Sequence, residues 1–200
     1  MPKILPIEAY GNRVLRTECK EINGDYPGLQ ELIEDMFETM YQANGVGLAA
    51  PQVGKSIRLF IVDASPFAEP DEEGKIDERA IGLKDFKKVF INPEILEEEG
   101  ESWVFEEGCL SIPDIREDVT RESDILLGYF DQDFNYHEER YSGFAARVIQ
   151  HEYDHIEGVL FTDYLKPLKK RLLQRKLNDI KKGIVDVKYK MRFAKLKTVK

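Results

Sequence analysis

The chain has 200 residues, 42% of them apolar, the size of one domain able to bury its own core. No run approaches the roughly 20 apolar residues that span a bilayer, and the start lacks the basic and apolar blocks of a signal peptide, so the expectation is a cytoplasmic protein without a membrane segment. The net charge of −9 hides a split: from Lys166 onward 14 Lys and Arg face two acids, Asp179 and Asp186, giving +12 against −21 for the rest.

In chain order, Leu29, Leu32, Ile33, Met36, Phe37 and Met40 recur at helical spacing, which predicts an amphipathic helix over 27–43, stopped by Asn44-Gly45. The glycine-spaced stretch Gly45-Val-Gly-Leu-Ala-Ala-Pro-Gln-Val-Gly54 follows, then a largely buried strand over 57–62. Residues 65–86 read as a long loop, because Glu69-Pro-Asp-Glu-Glu-Gly-Lys75 is acidic, turn-rich and aperiodic. Strand-like pieces at 88–91, 102–105, 125–130 and 136–141, joined by turns, predict antiparallel sheets. A second helix is expected over 142–157, with Ser142 at its start and Gly158 past its end. A third begins near Pro167, with Leu168, Leu172, Leu173, Leu177 and Ile180 as its apolar stripe. After Gly183 no pattern places the chain, so residues 1–183 read as the catalytic domain and 184–200 as a basic extension.

The second helix carries His151-Glu-Tyr-Asp-His155, an H-E-x-x-H motif. Residues four apart share a helical face, so both imidazoles reach one ion while Glu152 points a carboxylate at its water. With three histidines in the chain, two at this spacing beside Phe144 and Val148, an incidental pair on a surface helix is the weaker reading. A catalytic site of this kind wants a third ligand and an open position. No glutamate follows Glu157, and Phe161 stands where an extended motif would have a third histidine. His137 and Asp163 stay open as ligands without supporting context. Cys109 has context, in Glu106-Glu-Gly-Cys-Leu-Ser-Ile-Pro113 between a strand and a turn, and a thiolate is a strong, soft ligand. As a nucleophile it would need its own base, and the two likeliest histidines are committed to metal. Cys19 has no polar partner in its stretch, and two cysteines make no disulfide framework.

Gly45-Val-Gly-Leu-Ala-Ala-Pro-Gln52, Glu107-Gly-Cys-Leu-Ser111 and Gln150-His-Glu-Tyr-Asp-His155 together resemble the three signature motifs of peptide deformylases, in that family's order. The amino-terminal Gly11-Asn-Arg-Val-Leu-Arg16 is similar too, and the likeness runs over roughly residues 4–180. Departures are the 65–86 insertion, Asp133-Phe134-Asn135 where a glycine turn is usual, and the stretch beyond Gly183. The resemblance implies an α+β fold: antiparallel β-sheets packed around a central helix carrying the H-E-x-x-H motif, with a C-terminal helix. It implies a hydrolase that removes the formyl group from formyl-methionyl nascent chains, by metal-bound hydroxide attack on the formyl carbonyl.

In that reading Cys109, His151 and His155 hold one divalent ion. Two nitrogens and a sulfur suit Zn, Fe(II), Co or Ni, and the resemblance favours Fe(II). Glu152 moves the proton, and the Gln52 amide and the Leu110 backbone N–H donate to the formyl oxygen. Gly45 and Gly47 let an extended peptide pair with this segment as an added strand. Val46, Phe144, Val148 and His151 suggest a methionine pocket, Gly108 and Arg116 lie near the bound peptide, and Glu107 with Arg121 looks like a supporting ion pair. A monomer is expected, with ribosome docking through the basic C-terminal helix. Because no assigned catalytic residue lies beyond Gly183, removal of residues 184–200 is expected to spare turnover. The rivals are an H-E-x-x-H endopeptidase, indifferent to Cys109, and a non-enzymatic module with a closed structural metal.

Overall fold

The computed structural model describes residues 1–194. Its elements are β1 (Ile7–Glu8), α1 (Leu29–Gln42), β2 (Gly47–Ala49), β3 (Leu59–Asp63), β4 (Lys87–Glu99), β5 (Trp103–Cys109), β6 (Ile112–Arg121), β7 (Asp124–Phe130), β8 (Tyr136–Ser142), α2 (Gly143–Ile156), α3 (Pro167–Lys181) and β9 (Met191–Arg192). An antiparallel sheet runs β2-β3-β4-β7-β8, while β5 and β6 form a separate hairpin and β1 pairs with β9 in parallel.

The unbroken apolar run of β3 follows from cover on both faces. Phe60 and Val62 pack with Ala145, Ala146 and Ile149 of α2, whereas Leu59 and Ile61 pack with Met36 and Met40 of α1. The sheet is thus held between two helices, and α2, which carries the motif, lies in the interior. Asn44 at φ +54 and the bond from Gly45 N–H to Met40 O end α1 as its sequence predicts. Gly158 at φ +73 ends α2, where a Cβ would lie 2.9 Å from the Arg16 carbonyl carbon. Ser142 starts α2 through its extended backbone and makes no side-chain cap bond.

A third apolar cluster joins Ile112, Ile115 and Val119 of β6 to Phe161 and to Leu173, Leu177 and Ile180 of α3. Leu168 and Leu172 do not join it; they are 71% and 69% exposed, which corrects the five-residue stripe. The helix packs its apolar side on the body from Leu173 onward; its first turns are tied down by polar contacts, Lys169 Nζ with Glu117 Oε2 at 2.9 Å and Lys170 Nζ with Asp163 O at 2.8 Å, and leave Leu168 and Leu172 in solvent.

Other elements differ from expectation for local reasons. β6 has no strand signal because Pro113 and five charged residues interrupt its short apolar pattern, and Arg121 points inward. β4 extends far past residue 91, through bulges between Ile91 and Glu94 and between Ile95 and Glu97, with an exposed acidic end. The 65–86 loop is pinned by 3-10 turns at Ser65–Ala68 and Glu78–Ala80, with Ala80 and Leu83 buried. At the β7–β8 turn Phe134 itself takes φ +59, the conformation a glycine would supply.

The extension after Gly183 folds back onto the body. Met191 and Arg192 pair with Ile7 and Glu8, Arg192 Nη1 lies 2.7 Å from Glu8 Oε1, and Met191 and Phe193 pack on the third cluster. Residues 195–200 of the extension lie outside the described residues.

Candidate metal centre and substrate cleft

His151 and His155 sit one turn apart on α2, their ring centroids 5.1 Å apart, and β5 ends by delivering Cys109 to them. Cys109 Sγ lies 3.3 Å from His155 Nε2, and one ligand atom from each of the three residues falls within 4.8 Å of the others. Glu107, two residues before Cys109, is buried and accepts four hydrogen bonds. Arg121 Nε and Arg147 Nη1 donate to its Oε1 at 2.7 and 3.0 Å, and Arg121 Nη2 and His151 Nδ1 donate to its Oε2 at 3.0 and 2.9 Å. Burial opposes ionisation of Glu107, but the bonds from His151 and Arg121 outweigh it and hold the carboxyl well below its ordinary range. With Nδ1 committed to Glu107, His151 offers Nε2 as its lone pair. Arg121 Nη1 also reaches Asp154 Oδ2 at 2.8 Å, so the expected Glu107–Arg121 pair is part of a larger buried network.

The donor set fits a divalent ion. Burial drives His155 well below its ordinary pKa, keeping it neutral, and its Nδ1 has no hydrogen-bond partner among the described residues. At His151 burial works in the same direction, but Cys109 and Glu107 outweigh it and push the ring up. A cation between these donors competes with that proton, as ligands must be deprotonated to bind metal. The two ligands left open in sequence go elsewhere: His137 pairs with Asp131 at 2.8 Å, and Asp163 pairs with Arg16 while accepting the Leu160 N–H at 2.9 Å. Cys19 is buried, and burial raises its thiol to about 11.

Glu152 faces the cleft with Oε2 unpartnered although the residue is only 4% exposed. Burial, helped by Glu107 and Asp154, raises its pKa to about 7 against the opposing pull of His151. That value suits a group that takes and returns a proton near neutrality. Gln52 is buried; its Oε1 accepts the Ala49 N–H at 2.8 Å, which turns Nε2 toward Ser111 Oγ at 3.3 Å and Cys109 Sγ at 3.5 Å. Leu110 begins the turn between β5 and β6 and lines the same cleft.

That cleft has a volume of about 620 Å³. Gly45, Val46, Gly47, Gln52, Gly108, Cys109, Leu110, Arg116, Val148, His151 and Glu152 all border it. Phe144 does not; it stands behind the wall, stacked on Phe67 at 4.6 Å and edge-on to Phe105 at 5.3 Å. Phe67 and Phe105 are the aromatic lining that the sequence left unassigned, and Phe67 comes from the 65–86 insertion. An aromatic in an otherwise acidic loop was the available signal. Arg116 reaches the rim but pairs with Glu106 at 2.8 Å, both side chains well exposed. β2 is an edge strand paired with β3, so its other edge faces the cleft side for an incoming peptide. The opposite rim is built by Asp186, Val187, Lys188 and Tyr189. That placement argues against the expectation that residues 184–200 are dispensable.

The family model described as polypeptide deformylase matches residues 4–171. A peptide deformylase from Christiangramia forsetii is 58% identical over 194 residues, 97% of this chain and 98% of that protein. The crystal structure of a peptide deformylase from Legionella pneumophila superposes with a TM-score of 0.74 at 38% identity, covering 90% of this chain and 97% of its own. A Met-Ala-Ser-bound peptide deformylase from Acinetobacter baumannii gives 0.70 at 33% identity, covering 82% of this chain and 100% of its own.

Proposed function

The chain belongs to the peptide deformylase family, and from that premise we propose how its own residues divide the work of removing a formyl group from a peptide N-terminus. It is a metal-dependent hydrolase; the endopeptidase reading finds no support among relatives of this similarity.

Cys109, His151 and His155 would hold the divalent ion, which when bound would supply Lewis acidity and bring the pKa of water toward roughly 7. Glu152 accepts the proton released as water attacks the formyl carbon, then gives it to the nitrogen as the C–N bond breaks, leaving formate and a free amine. The Gln52 Nε2–H and the Leu110 backbone N–H donate to the formyl oxygen as charge grows on it. Val46, Phe67, Phe105 and Val148 supply an apolar pocket for the methionine side chain, and the free edge of β2 at Gly45–Gly47 receives the extended backbone. The Met-Ala-Ser peptide bound to the Acinetobacter relative supports a methionine-led ligand.

The observation that carries the mechanism is the buried Glu152 carboxyl at the cleft, one residue from His151, with Oε2 unpartnered among the described residues. Fe(II) is the proposed native metal, with Zn, Ni or Co as substitutes. The test is metal analysis of anaerobically purified protein alongside deformylation of a formyl-Met peptide. We expect one ion per chain and formate release that decays in air, because thiolate and ferrous ion both oxidise. Cleavage of internal bonds in unformylated peptides, without formate release, would overturn the assignment.

The reading extends to a cytoplasmic enzyme that works as a monomer and docks on the ribosome through α3. Lys169, Lys170, Arg171, Arg175 and Lys176 would neutralise RNA phosphates, and the acidic body would repel RNA elsewhere. Ribosome binding should weaken with salt and on reversal of these charges; binding indifferent to both would refute docking.

A further inference from the structure

We propose that Tyr189, on the segment returning from α3, is a positioning residue for deformylation: by holding the Leu110 carbonyl it fixes the backbone N–H that meets the formyl oxygen. The proposal rests on the oxyanion role given to Leu110 above.

Three observations carry it. The phenol of Tyr189 donates to Leu110 O at 2.8 Å, across 79 residues of sequence. The segment is built as a strap, with Val185, Val187, Tyr189 and Met191 half-buried while Asp186, Lys188, Lys190 and Arg192 between them are exposed. Both ends are anchored. One is the C-terminus of α3, and the other is β9, where Ile7 N–H donates to Lys190 O and Ala9 N–H to Arg192 O, each at 2.9 Å. A phenol on such a strap is a rigid donor, since neither the backbone nor the half-buried ring is free to wander.

What Tyr189 holds is the turn that closes the β5–β6 hairpin. The next residue is fixed twice, by Tyr10 N–H on Ser111 O at 2.8 Å and by Gln52 Nε2 on Ser111 Oγ at 3.3 Å. Tyr189 adds the restraint on Leu110 itself, between the metal-ligating Cys109 and that anchored serine. The Leu110 carbonyl lies in the Leu110–Ser111 peptide plane and the Leu110 N–H in the preceding one, the two meeting at the Leu110 Cα. With Cys109 paired to Ile112 in the hairpin and Leu110 O held by Tyr189, both planes are restrained, so the N–H keeps its direction. An oxyanion donor works only within about 2.7–3.1 Å of where the charge develops, so its aim matters more in the transition state than in the bound substrate. The loss should therefore fall on kcat. The surface beyond Gly183 is, on this view, working structure of the active site.

The test compares wild type, Tyr189→Phe and, as a control on the same strap, Lys190→Ala, whose side chain is exposed. Steady-state kinetics on a formyl-Met-Ala-Ser peptide would be read with metal content, thermal midpoint and the amide resonances of Leu110 and Ser111 in zinc-loaded protein. We expect Tyr189→Phe to lower kcat about three- to tenfold, the scale of one lost hydrogen bond. KM should stay within about twofold, with full metal content and a displaced, faster-exchanging Leu110 amide. Lys190→Ala should match wild type. Unchanged kcat with an unmoved Leu110 amide would overturn the proposal. So would a loss that tracks missing metal or a collapsed thermal midpoint, because that is a structural role. Failure of the wild type to release formate would instead count against the function proposed above.

Discussion

Replacing Glu107 with Gln changes almost no volume, yet it should be among the most damaging substitutions in the chain. All four groups around the Glu107 carboxylate donate to it: Arg121 twice, Arg147 and His151. Whichever way a Gln amide is turned, its NH₂ meets two donors, either Arg121 Nε with Arg147 or Arg121 Nη2 with His151. The charge is lost as well, leaving Arg121 with Asp154 alone and Arg147 with the carbonyls of Val119 and Trp103. Glu107 and the two arginines are each 7% exposed or less, so water cannot make up the difference. Removing one partner of a buried ion pair costs about 3–5 kcal/mol. At about 2–4 °C per kcal/mol for a chain of this size, the thermal midpoint should fall by about 6–20 °C. His151 loses the negative charge on its acceptor in either orientation and the acceptor itself in the second, and losing such support typically weakens metal binding about 10- to 100-fold. Differential scanning calorimetry of metal-replete protein and competition against a calibrated chelator would read the two effects. A midpoint within about 2 °C of wild type together with unchanged metal affinity would refute this reasoning.

Glu152→Gln should keep fold and metal while turnover drops by about 10²–10⁴-fold, because the neutral carboxyl it imitates is already populated at a pKa of about 7; a wild-type rate would remove Glu152 from the mechanism. Gly47→Ala should lower kcat by up to about 10²-fold with metal retained, since a Cβ there would lie 2.8 Å from Glu152 Cγ and Cδ and push the carboxyl aside; unaltered kinetics would mean that the carboxyl needs no such clearance. Asp131→Asn tests the β7–β8 turn. Burial opposes ionisation of Asp131, but His137 and the amides of Asn135 and Asp133 lower its pKa to about 2, so its contribution is present above about pH 3.9 and is lost as pH falls through 2. The variant should melt about 1–4 °C lower at pH 6, the scale of a partly exposed pair, and match wild type near pH 2; a gap that widens on acidification would contradict the assignment.

The chemistry of this chain is written compactly and its walls are not. H-E-x-x-H on a helix marks two candidate ligands, because metal geometry demands those residue types at that spacing, while Cys109 stood out by its place between a strand and a turn and by the family resemblance. α1 and α2 were legible for a similar reason, as their apolar periodicity and stop residues agree. β6 was hidden because it buries Arg121 where a strand pattern would show an apolar side chain. Phe144 looked like pocket lining because it shares a helical face with Val148; that Phe67 and Phe105 stand in front of it depends on an insertion and a hairpin meeting in space. The strap after Gly183 did carry a signal, the alternation of Val185, Val187, Tyr189 and Met191 with charged residues. It was masked by the basic composition of the tail.

The parallel pairing of Ile7 with Met191 joins the first strand of the chain to nearly its last. During synthesis, which proceeds from the amino terminus, β1 has no partner until residues 191 and 192 have been made. Glu8, buried at 4% exposure, waits just as long for the guanidinium of Arg192. The helices and the sheet between them draw on residues made earlier, whereas the cleft rim at 186–189 lies beyond them in the chain. The pairing has the longest sequence separation of any strand pair among the described residues, which places it late in folding.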